Sequence, residues 1–377
     1  MNDQKRVLIL GVGRMGTAIS WCMTIFGHHV IGADKDIASA EKLRHGELKR
    51  NTPVDFLIIE TEEDIEKCIS ITKPDLVISS LPYHQTQMAA NICIDNEVAY
   101  CDLGGRRDVS ANINKKAAGS AKKPVITDLG LAPGWVNILA EEACDSLEER
   151  VVDIKTMVGG IPQQKHNPPF NYTITWSVDG LINEYLDKCE ILVNGHRDYP
   201  KGMEGLEKVY CRSIDEELEA FYTSGGASHS IGSMEQRGVD SFAYKTLRYK
   251  GHLDLIKILL DKRIAIDKSC AQEVIEKACS PEGALGIEDQ VIIKCVAVGE
   301  FGAVWDKEFL LKSSLSNFTA MQKATSFGLS CVANQILNED ITGGRLTYKD
   351  VNYAKFNEYL DILRKELGEL PYEIPLK

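Results

Sequence analysis

RVLILGVGRMGTAISWCMTIFGHHVIGAD, residues 6–34, places an apolar run, three spaced glycines, a helical stretch and a second apolar run in that order. The run at 7–11 predicts a strand buried on both faces, as in the centre of a parallel sheet. Gly11, Gly13 and Gly16 follow with the spacing G-x-G-x-x-G. In such a unit the first glycine permits a tight turn, the second lets a pyrophosphate approach the backbone, and the third lets the helix pack on the strand. The stretch therefore predicts a dinucleotide-binding βαβ unit.

The residue that ends the second strand bears on the choice of dinucleotide. Asp34 lies about 20 residues beyond the last glycine, where a carboxylate accepts hydrogen bonds from the adenosine ribose. It would repel the 2′-phosphate of NADP, and the adjacent Lys35 would partly offset that repulsion, so NAD is the predicted cofactor. The residues expected to contact it are Gly11, Gly13, Arg14, Met15, Gly16, Asp34, Ser80, Leu81, Pro82 and Asp102.

The remaining pattern predicts an α/β protein with two domains. Apolar runs alternate with helical stretches through residues 1–130, which predicts a doubly wound parallel sheet of the Rossmann type. Residues 131–313 contain strands of alternating polarity, 171–178 among them, interspersed with helices, and predict a second α/β domain with a mostly antiparallel sheet. Residues 314–377 are mainly helical and are expected to pack back on the first domain.

Composition excludes several classes of protein. The chain has 377 residues and a formal net charge of −12, which disfavours nucleic acid and anionic membranes as partners. No apolar run approaches the roughly 20 residues that span a bilayer, and the N-terminus shows no secretion signal. Eleven cysteines occur without a C-x-x-C pair, so we expect reduced thiols, no metal site and a cytoplasmic location.

Three stretches carry a resemblance to a known family. TDLGLAPGWVN at 127–137, VGGIPQQKHNPPFNYTITWSVDGLINEY at 158–185 and TLRYKGH at 246–252 resemble the saccharopine-dehydrogenase-like oxidoreductases, and within them the lysine 6-dehydrogenases. The resemblance implies a Rossmann domain joined to an α/β substrate domain that forms a homodimer. It also implies that the C-terminal segment returns to the Rossmann domain.

One departure from the family pattern points to a substrate. Glutamate-forming saccharopine reductases carry an aspartate just before the Pro-Gly of this loop and an Asp-His shortly after it, whereas here Ala132 and Asn137 stand at or near those places. The resemblance then implies NAD-dependent oxidation of the ε-amine of lysine, giving a semialdehyde that cyclises to piperideine-6-carboxylate. Two alternatives stay open: a saccharopine or carboxyspermidine-type dehydrogenase, and a catalytically silent NAD(H)-binding regulator.

Three side chains are the catalytic candidates. Arg248, in TLRYKGH, offers a planar fork to a substrate carboxylate, unless it forms a structural ion pair. Asp128, which we expect to close the sixth strand of the first domain, could hold the substrate amine or relay its proton, or could cap its loop. His229 could act as a base, or could be a hydrogen-bonded loop histidine. We also expect His252 to shape the Arg248 loop or cap the next helix, and Trp176 and Tyr172 to belong to the core and sheet surface.

Overall fold

The computed structural model describes residues 4–38, 55–165, 168–261, 264, 266–279, 288–313 and 318–376. The chain divides into two compact units. The first unit contains Met1–Ile138 and Gln322–Pro371, and the second contains Leu139–Met321 and Tyr372–Lys377. Most of the C-terminal segment therefore belongs to the same unit as the N-terminus.

Strands and helices alternate through the first third of the chain, and strands predominate in the middle. The strands of the described residues are β1 (Arg6–Leu10), β2 (His29–Asp34), β3 (Asp55–Ile58), β4 (Leu76–Ser79), β5 (Ala99–Asp102), β6 (Val125–Ile126), β7 (Val151–Pro162), β8 (Ile191–Val193), β9 (His196–Asp198), β10 (Glu207–Cys211), β11 (Glu216–Tyr222), β12 (Ser241–Arg248), β13 (Asp289–Gly299) and β14 (Val304–Lys312).

The helices cover the sheets and supply the C-terminal segment. Those in the described residues are α1 (Arg14–Ile25), α2 (Glu62–Thr72), α3 (Tyr83–Asp95), α4 (Arg107–Ser120), α5 (Trp135–Ser146), α6 (Val178–Leu186), α7 (Ser230–Gln236), α8 (His252–Leu259), α9 (Lys268–Cys279), α10 (Ala320–Leu337) and α11 (Tyr353–Glu366). None of these described helices has the length and apolar character needed to cross a bilayer.

The first unit contains the predicted doubly wound parallel sheet. Its strand order is β3-β2-β1-β4-β5-β6, and every neighbouring pair is parallel. Residues 7–10 of β1 are fully buried, as their unbroken apolar run predicts. The order reverses between β1 and β4, and ligands of such sheets bind beyond the carboxyl ends of the strands at that point. The turn after β1 lies there.

The second unit contains the mostly antiparallel sheet. Its path is β10-β11-β12-β7-β13-β14, with β8 paired to β12 and β9 paired to β8. The pair β12–β7 is parallel, and the other described pairs are antiparallel. Buried side chains of α6, α8 and α9 form a core with Tyr172 and Phe221. This architecture confirms the predicted α/β class.

Two sequence expectations about strands are wrong. Residues 171–177 are irregular, because their aromatic side chains pack into the helical core: Tyr172 is 1% exposed and Trp176 packs against the same cluster. The segment ends at Ser177, whose side chain accepts a hydrogen bond from the backbone N–H of Gly180 and so caps α6. The sixth strand ends at Ile126, two residues before Asp128, whose φ of +63° is incompatible with a strand.

Candidate functional site

The glycine turn after β1 is shaped by close packing on two sides and open space on the third. A Cβ added at Gly11, which has a φ of +82°, would lie 2.9 Å from the carbonyl oxygen of Ser80. A Cβ at Gly16 would lie 1.9 Å from the carbonyl oxygen of Gly11, whereas one at Gly13 would meet no atom within 4 Å. The first and third glycines therefore pack the turn, and the second leaves room beside the exposed N-terminus of α1. This geometry fits a dinucleotide pyrophosphate.

Distant segments of the first unit hold this turn in place. The backbone N–H of Gly11 donates to the carbonyl oxygen of Ala33 at 2.8 Å. From α10, the Gln322 side chain donates to the carbonyl oxygen of Arg14 at 3.0 Å, and the Ser326 hydroxyl donates to that of Met15 at 3.3 Å. Gln322 and Ser326 lie some 300 residues further along the chain, and no local sequence pattern marks them as supports of the turn.

Asp34 connects the end of β2 to the glycine turn. Its Oδ2 accepts a hydrogen bond from the backbone N–H of Val12 at 2.7 Å, and its Oδ1 accepts one from that of Asp36 at 3.0 Å. A carboxylate offers about four acceptor positions, so both oxygens keep capacity for ribose hydroxyls. The side chain is only partly buried, and the structure thus places it where a ribose-binding carboxylate is expected.

Asp102 and Asp128 come together beyond the ends of β5 and β6. The Oδ1 of Asp102 accepts hydrogen bonds from the backbone N–H groups of Gly104 and Asp128, both at 2.9 Å. The Ser110 hydroxyl donates to Oδ1 of Asp128 at 2.5 Å. Burial, and to a smaller extent the neighbouring Asp128 carboxylate, raise the pKa of Asp102 to about 7. Both side chains are at most 2% exposed, so they are buried beneath the loops that follow β5 and β6.

The loop after Asp128 contributes no further ionisable group until Glu141. Asn137 is fully buried, and its side-chain oxygen accepts a hydrogen bond from the backbone N–H of Gly134 at 2.7 Å. The residue that stands near the family's Asp-His position therefore stabilises the turn of its own loop.

Ser80 and Leu81 of the β4–α3 loop are partly buried and Pro82 is exposed, beside the glycine turn.

The second unit holds Arg248 at the end of β12. Its guanidinium is buried, with Nε donating to the Tyr185 hydroxyl at 3.2 Å and Nη1 donating to the carbonyl oxygen of Leu247 at 2.9 Å. The Arg248 Cζ lies 4.6 Å from the centre of the Tyr172 ring, within the range of a cation–π contact. No carboxylate of the described residues forms an ion pair with this guanidinium. The alternative role of Arg248, a structural ion pair, therefore has no support among these residues.

A chain of hydrogen bonds fixes the orientation of Arg248. Nδ1 of His252 lies 3.2 Å from the carbonyl oxygen of Phe170, and Nε2 lies 3.1 Å from the Tyr185 hydroxyl. Because a carbonyl can only accept, the proton is assigned to Nδ1, and Nε2 accepts from Tyr185, whose oxygen in turn accepts from Arg248. Burial and the Arg248 charge lower the pKa of His252 to about 3, which agrees with a neutral ring.

Sequence reasoning missed Glu184, the residue before Tyr185 on α6. The side chain is partly buried, and its carboxyl forms no hydrogen bond or ion pair with the described residues. Burial raises the pKa of Glu184 to about 8, against the opposing effect of Arg248. Glu184 lies beside the buried face that Leu181, Ile182 and Tyr185 form, and no sequence motif marks it.

The remaining catalytic candidate, His229, also lies in the second unit. It directly precedes α7, is partly buried, and has Nδ1 3.2 Å from the Ser228 hydroxyl. The structure thus divides the predicted site residues between the units: Asp128, Asp102 and the cofactor candidates are in the first, and Arg248 and His229 in the second.

A search of the described residues finds no group of His, Cys, Asp and Glu arranged for a metal ion, and all eleven cysteines are free thiols.

Comparisons with known proteins give matches along nearly the whole chain. A family model described as the saccharopine dehydrogenase NADP binding domain matches residues 7–126, and the saccharopine dehydrogenase C-terminal domain matches residues 130–369. The mitochondrial alpha-aminoadipic semialdehyde synthase of Rattus norvegicus is 27% identical over 199 residues, and that of Bos taurus is 28% identical over 200 residues. Each match covers 52% of this chain and 21% of the relative.

One solved structure shares the fold over its full length. Apo saccharopine dehydrogenase (L-Glu forming) from Saccharomyces cerevisiae matches with a TM-score of 0.74 and 14% identity, covering 99% of this chain and 100% of that one. At this identity the likeness supports the fold alone.

Proposed function

The chain belongs to the saccharopine dehydrogenase family, and from that premise we propose that it oxidises the side-chain amine of lysine with NAD⁺. The reaction consumes the protonated amine, NAD⁺ and water, and releases the semialdehyde, ammonium, NADH and one proton. The semialdehyde then cyclises to piperideine-6-carboxylate. The observation that carries this choice is the loop after Asp128, which has Ala132 in place of the family's aspartate and a buried, structural Asn137.

The choice of NAD rests on Asp34. Its carboxylate is anchored to the glycine turn and keeps acceptor capacity for ribose hydroxyls, while it would repel a 2′-phosphate. Gly11, Gly13 and Gly16 would hold the pyrophosphate. When bound, the nicotinamide supplies the two-electron acceptor for the amine carbon. The description of the matched family model names NADP, so the preference for NAD over NADP has to be measured.

The catalytic roles are assigned unit by unit. Arg248, oriented by Tyr185, binds the substrate carboxylate through its remaining N–H groups. Asp128 holds the amine and accepts its proton, because it is the one ionisable side chain of residues 128–140. His229 is the second candidate base. Tyr185 and His252 are positioning residues that act through Arg248.

Saccharopine dehydrogenation is the second candidate function. It is favoured by the two saccharopine dehydrogenase family models, which match residues 7–126 and 130–369. It requires sites for the additional carboxylates of saccharopine, and the contacts of Arg248 described above include no second Arg or Lys that could receive one.

Turnover with both substrates tests the proposal. NADH, ammonia and cyclised product are measured together after NAD⁺ is mixed with L-lysine or with saccharopine. We expect equal amounts of all three from lysine, at a rate that rises toward alkaline pH because the neutral amine is a minor form below a pKa of about 10.4. NADH from saccharopine without ammonia, and none from lysine, would favour the second candidate. NADH binding without oxidation of any amine would indicate a regulator.

A further inference from the structure

The backbone on both sides of the Asp128 Cα is held by hydrogen bonds from other parts of the first unit. The N–H of Asp128 donates to Oδ1 of Asp102 at 2.9 Å, and the N–H of Leu129 donates to the carbonyl oxygen of Asp102 at 2.8 Å. The carbonyl oxygen of Asp128 accepts a hydrogen bond from the Tyr348 hydroxyl at 2.9 Å. Together these three bonds fix the two peptide groups that set the direction of the Asp128 side chain.

This anchoring matters because Asp128 has an unfavourable backbone conformation. Its φ of +63° lies in the left-handed region, which residues other than glycine adopt at an energetic cost. Such conformations persist where the surrounding structure over-determines them, and they cluster at functional sites. Loss of the Tyr348 hydroxyl would deprive the buried carbonyl of Asp128 of this donor and would loosen the peptide group between residues 128 and 129.

Tyr348 reaches the Asp128 loop from the C-terminal segment, 220 residues further along the chain. The chain just before Tyr348 lies beside β6 and forms a parallel bridge between Arg345 and Val125. The N–H of Val125 donates to the carbonyl oxygen of Gly344, and the N–H of Leu346 donates to that of Val125, both at 2.8 Å. The segment is therefore aligned on the sheet of the first unit immediately before Tyr348.

The position of the Tyr348 side chain is itself well defined. The residue is 1% exposed and begins the short 3-10 helix Tyr348–Asp350. The backbone N–H and the hydroxyl of Thr347 donate to Oδ2 of Asp350 at 2.7 and 2.9 Å, which ties the start of this turn to its end. The contacts with β6 and this closed turn together hold the Tyr348 hydroxyl against the Asp128 carbonyl.

We propose that Tyr348 is a positioning residue for turnover, whose hydroxyl keeps Asp128 in the orientation in which its carboxylate meets the substrate amine. The inference rests on the proposed function, from which it takes Asp128 as the proton acceptor. It adds a residue of the C-terminal segment and gives that segment a part in turnover besides its part in the fold. The effect on rate follows because proton transfer requires the acceptor at hydrogen-bond distance and in alignment.

Removal of the hydroxyl alone tests this role. Tyr348→Phe keeps the ring and its packing, and we expect it to lower kcat by about 10- to 100-fold, the scale of a displaced catalytic group. NADH affinity should stay nearly unchanged. The matched control is Tyr359→Phe, which removes another tyrosine hydroxyl of the same unit, bonded to Oδ2 of Asp340 at 2.6 Å. It should lower the melting temperature and leave kcat unchanged.

A double variant shows whether Tyr348 acts through Asp128. In the Asp128→Asn background, Tyr348→Phe should cause no further loss of kcat, because the carboxylate that the hydroxyl positions is already absent. A hydroxyl that only stabilises the fold would give the same fractional loss in both backgrounds. Rates are measured well below the melting temperature of each variant, and NADH affinity reports whether the first unit has folded.

The outcomes separate this inference from the proposed function. Rates are taken with lysine or, where lysine is not oxidised, with saccharopine. Unchanged kcat in Tyr348→Phe, or equal losses in both backgrounds, overturns the positioning role even if lysine is oxidised. A loss that disappears in the Asp128→Asn background, with saccharopine as the substrate, upholds the positioning role and rejects the proposed reaction. Oxidation of neither substrate overturns both.

Discussion

The glycine turn of the first unit and the Arg248 cluster of the second recognise ligands by different means. The turn offers backbone N–H groups and an open space beside Gly13, within the single stretch of residues 6–34. The Arg248 cluster offers side chains from three separate segments, at Tyr172, at 184–185 and at 248–252, held by the Tyr185–His252 hydrogen bonds. The turn can receive a ligand only because its glycines have no side chain to fill the space. The Arg248 cluster can receive one only if several side chains keep their orientation.

The largest expected effect is a steric one in the turn. Gly16→Ala should abolish dinucleotide binding and lower the melting temperature, because the new Cβ would lie 1.9 Å from a backbone oxygen that cannot rotate away. Gly13→Ala should leave the melting temperature unchanged, since its Cβ meets no protein atom within 4 Å, yet weaken NADH binding about tenfold or more through a clash with the ligand. Fluorescence titration and thermal melts measure both.

A third glycine provides the control for that comparison. Gly119, in α4, also has open space around a Cβ, so Gly119→Ala should leave NADH binding unchanged and stabilise the protein by about 0.5–1 kcal/mol. Normal NADH affinity in Gly13→Ala would mean that the open face of the turn does not receive the dinucleotide.

The next effect concerns proton transfer at Asp128. Asp128→Asn should lower kcat for lysine by about 10²–10⁴-fold if the carboxyl accepts the amine proton, and asparagine tolerates the positive φ at this position. The control is Ser110→Ala, which removes the 2.5 Å hydrogen bond and keeps the carboxyl. The pH profile of kcat is the deciding readout: equal losses in both variants with an unchanged profile would make Asp128 an anchor of its loop.

A smaller loss is expected from the fork of Arg248. Arg248→Lys keeps the charge but loses the planar fork and the bond from Nε to Tyr185. We expect kcat/KM to fall by an amount equivalent to about 1.5–3 kcal/mol, with NADH affinity nearly unchanged. Arg150→Lys, at an exposed arginine paired with Asp240 and Glu300, is the control. Normal kcat/KM in Arg248→Lys would place the guanidinium outside substrate binding.

The smallest effect concerns cofactor choice. The unmodified protein should bind NADH more tightly than NADPH, and Asp34→Ala should narrow that gap by roughly fivefold, the scale of one hydrogen bond. Asp36→Ala, which removes a carboxylate that accepts a hydrogen bond from the nearby Ala38 backbone, should leave the gap between the two affinities intact. Equal affinities for the two dinucleotides in the unmodified protein would refute the role assigned to Asp34.

The contrast between the contiguous glycine turn and the assembled Arg248 cluster also explains how much of the fold could be predicted from the sequence. The parallel sheet and the roles of Gly11 and Gly16 follow from local signals, since a βαβ unit is contiguous in the chain. The parallel pairing of β12 with β7 brings together strands some 80 residues apart and has no local signal. Tyr172 follows a strand-like pattern of alternation, but its segment is shaped by the helical core it packs into.

The functional side chains divide in the same way. Arg248 could be selected from a motif, but the groups that orient it could not, because Tyr185 and His252 meet only in the folded second unit. Glu184 could not be selected from the sequence, because it lies beside the buried face of its helix and belongs to no motif. Gln322 and Ser326 support a turn some 300 residues away, which only the return of α10 to the first unit reveals.

Crossed binding measurements test the two-site account most directly. Calorimetry is carried out with NADH and, separately, with L-norleucine, which has the α-amino acid head group of lysine but no side-chain amine. The proteins compared are the unmodified chain, Gly13→Ala and Arg248→Lys. The account predicts that Gly13→Ala loses NADH affinity and keeps L-norleucine affinity, and that Arg248→Lys shows the reverse. Loss of both ligands in each folded variant, or full L-norleucine affinity in Arg248→Lys, would contradict it.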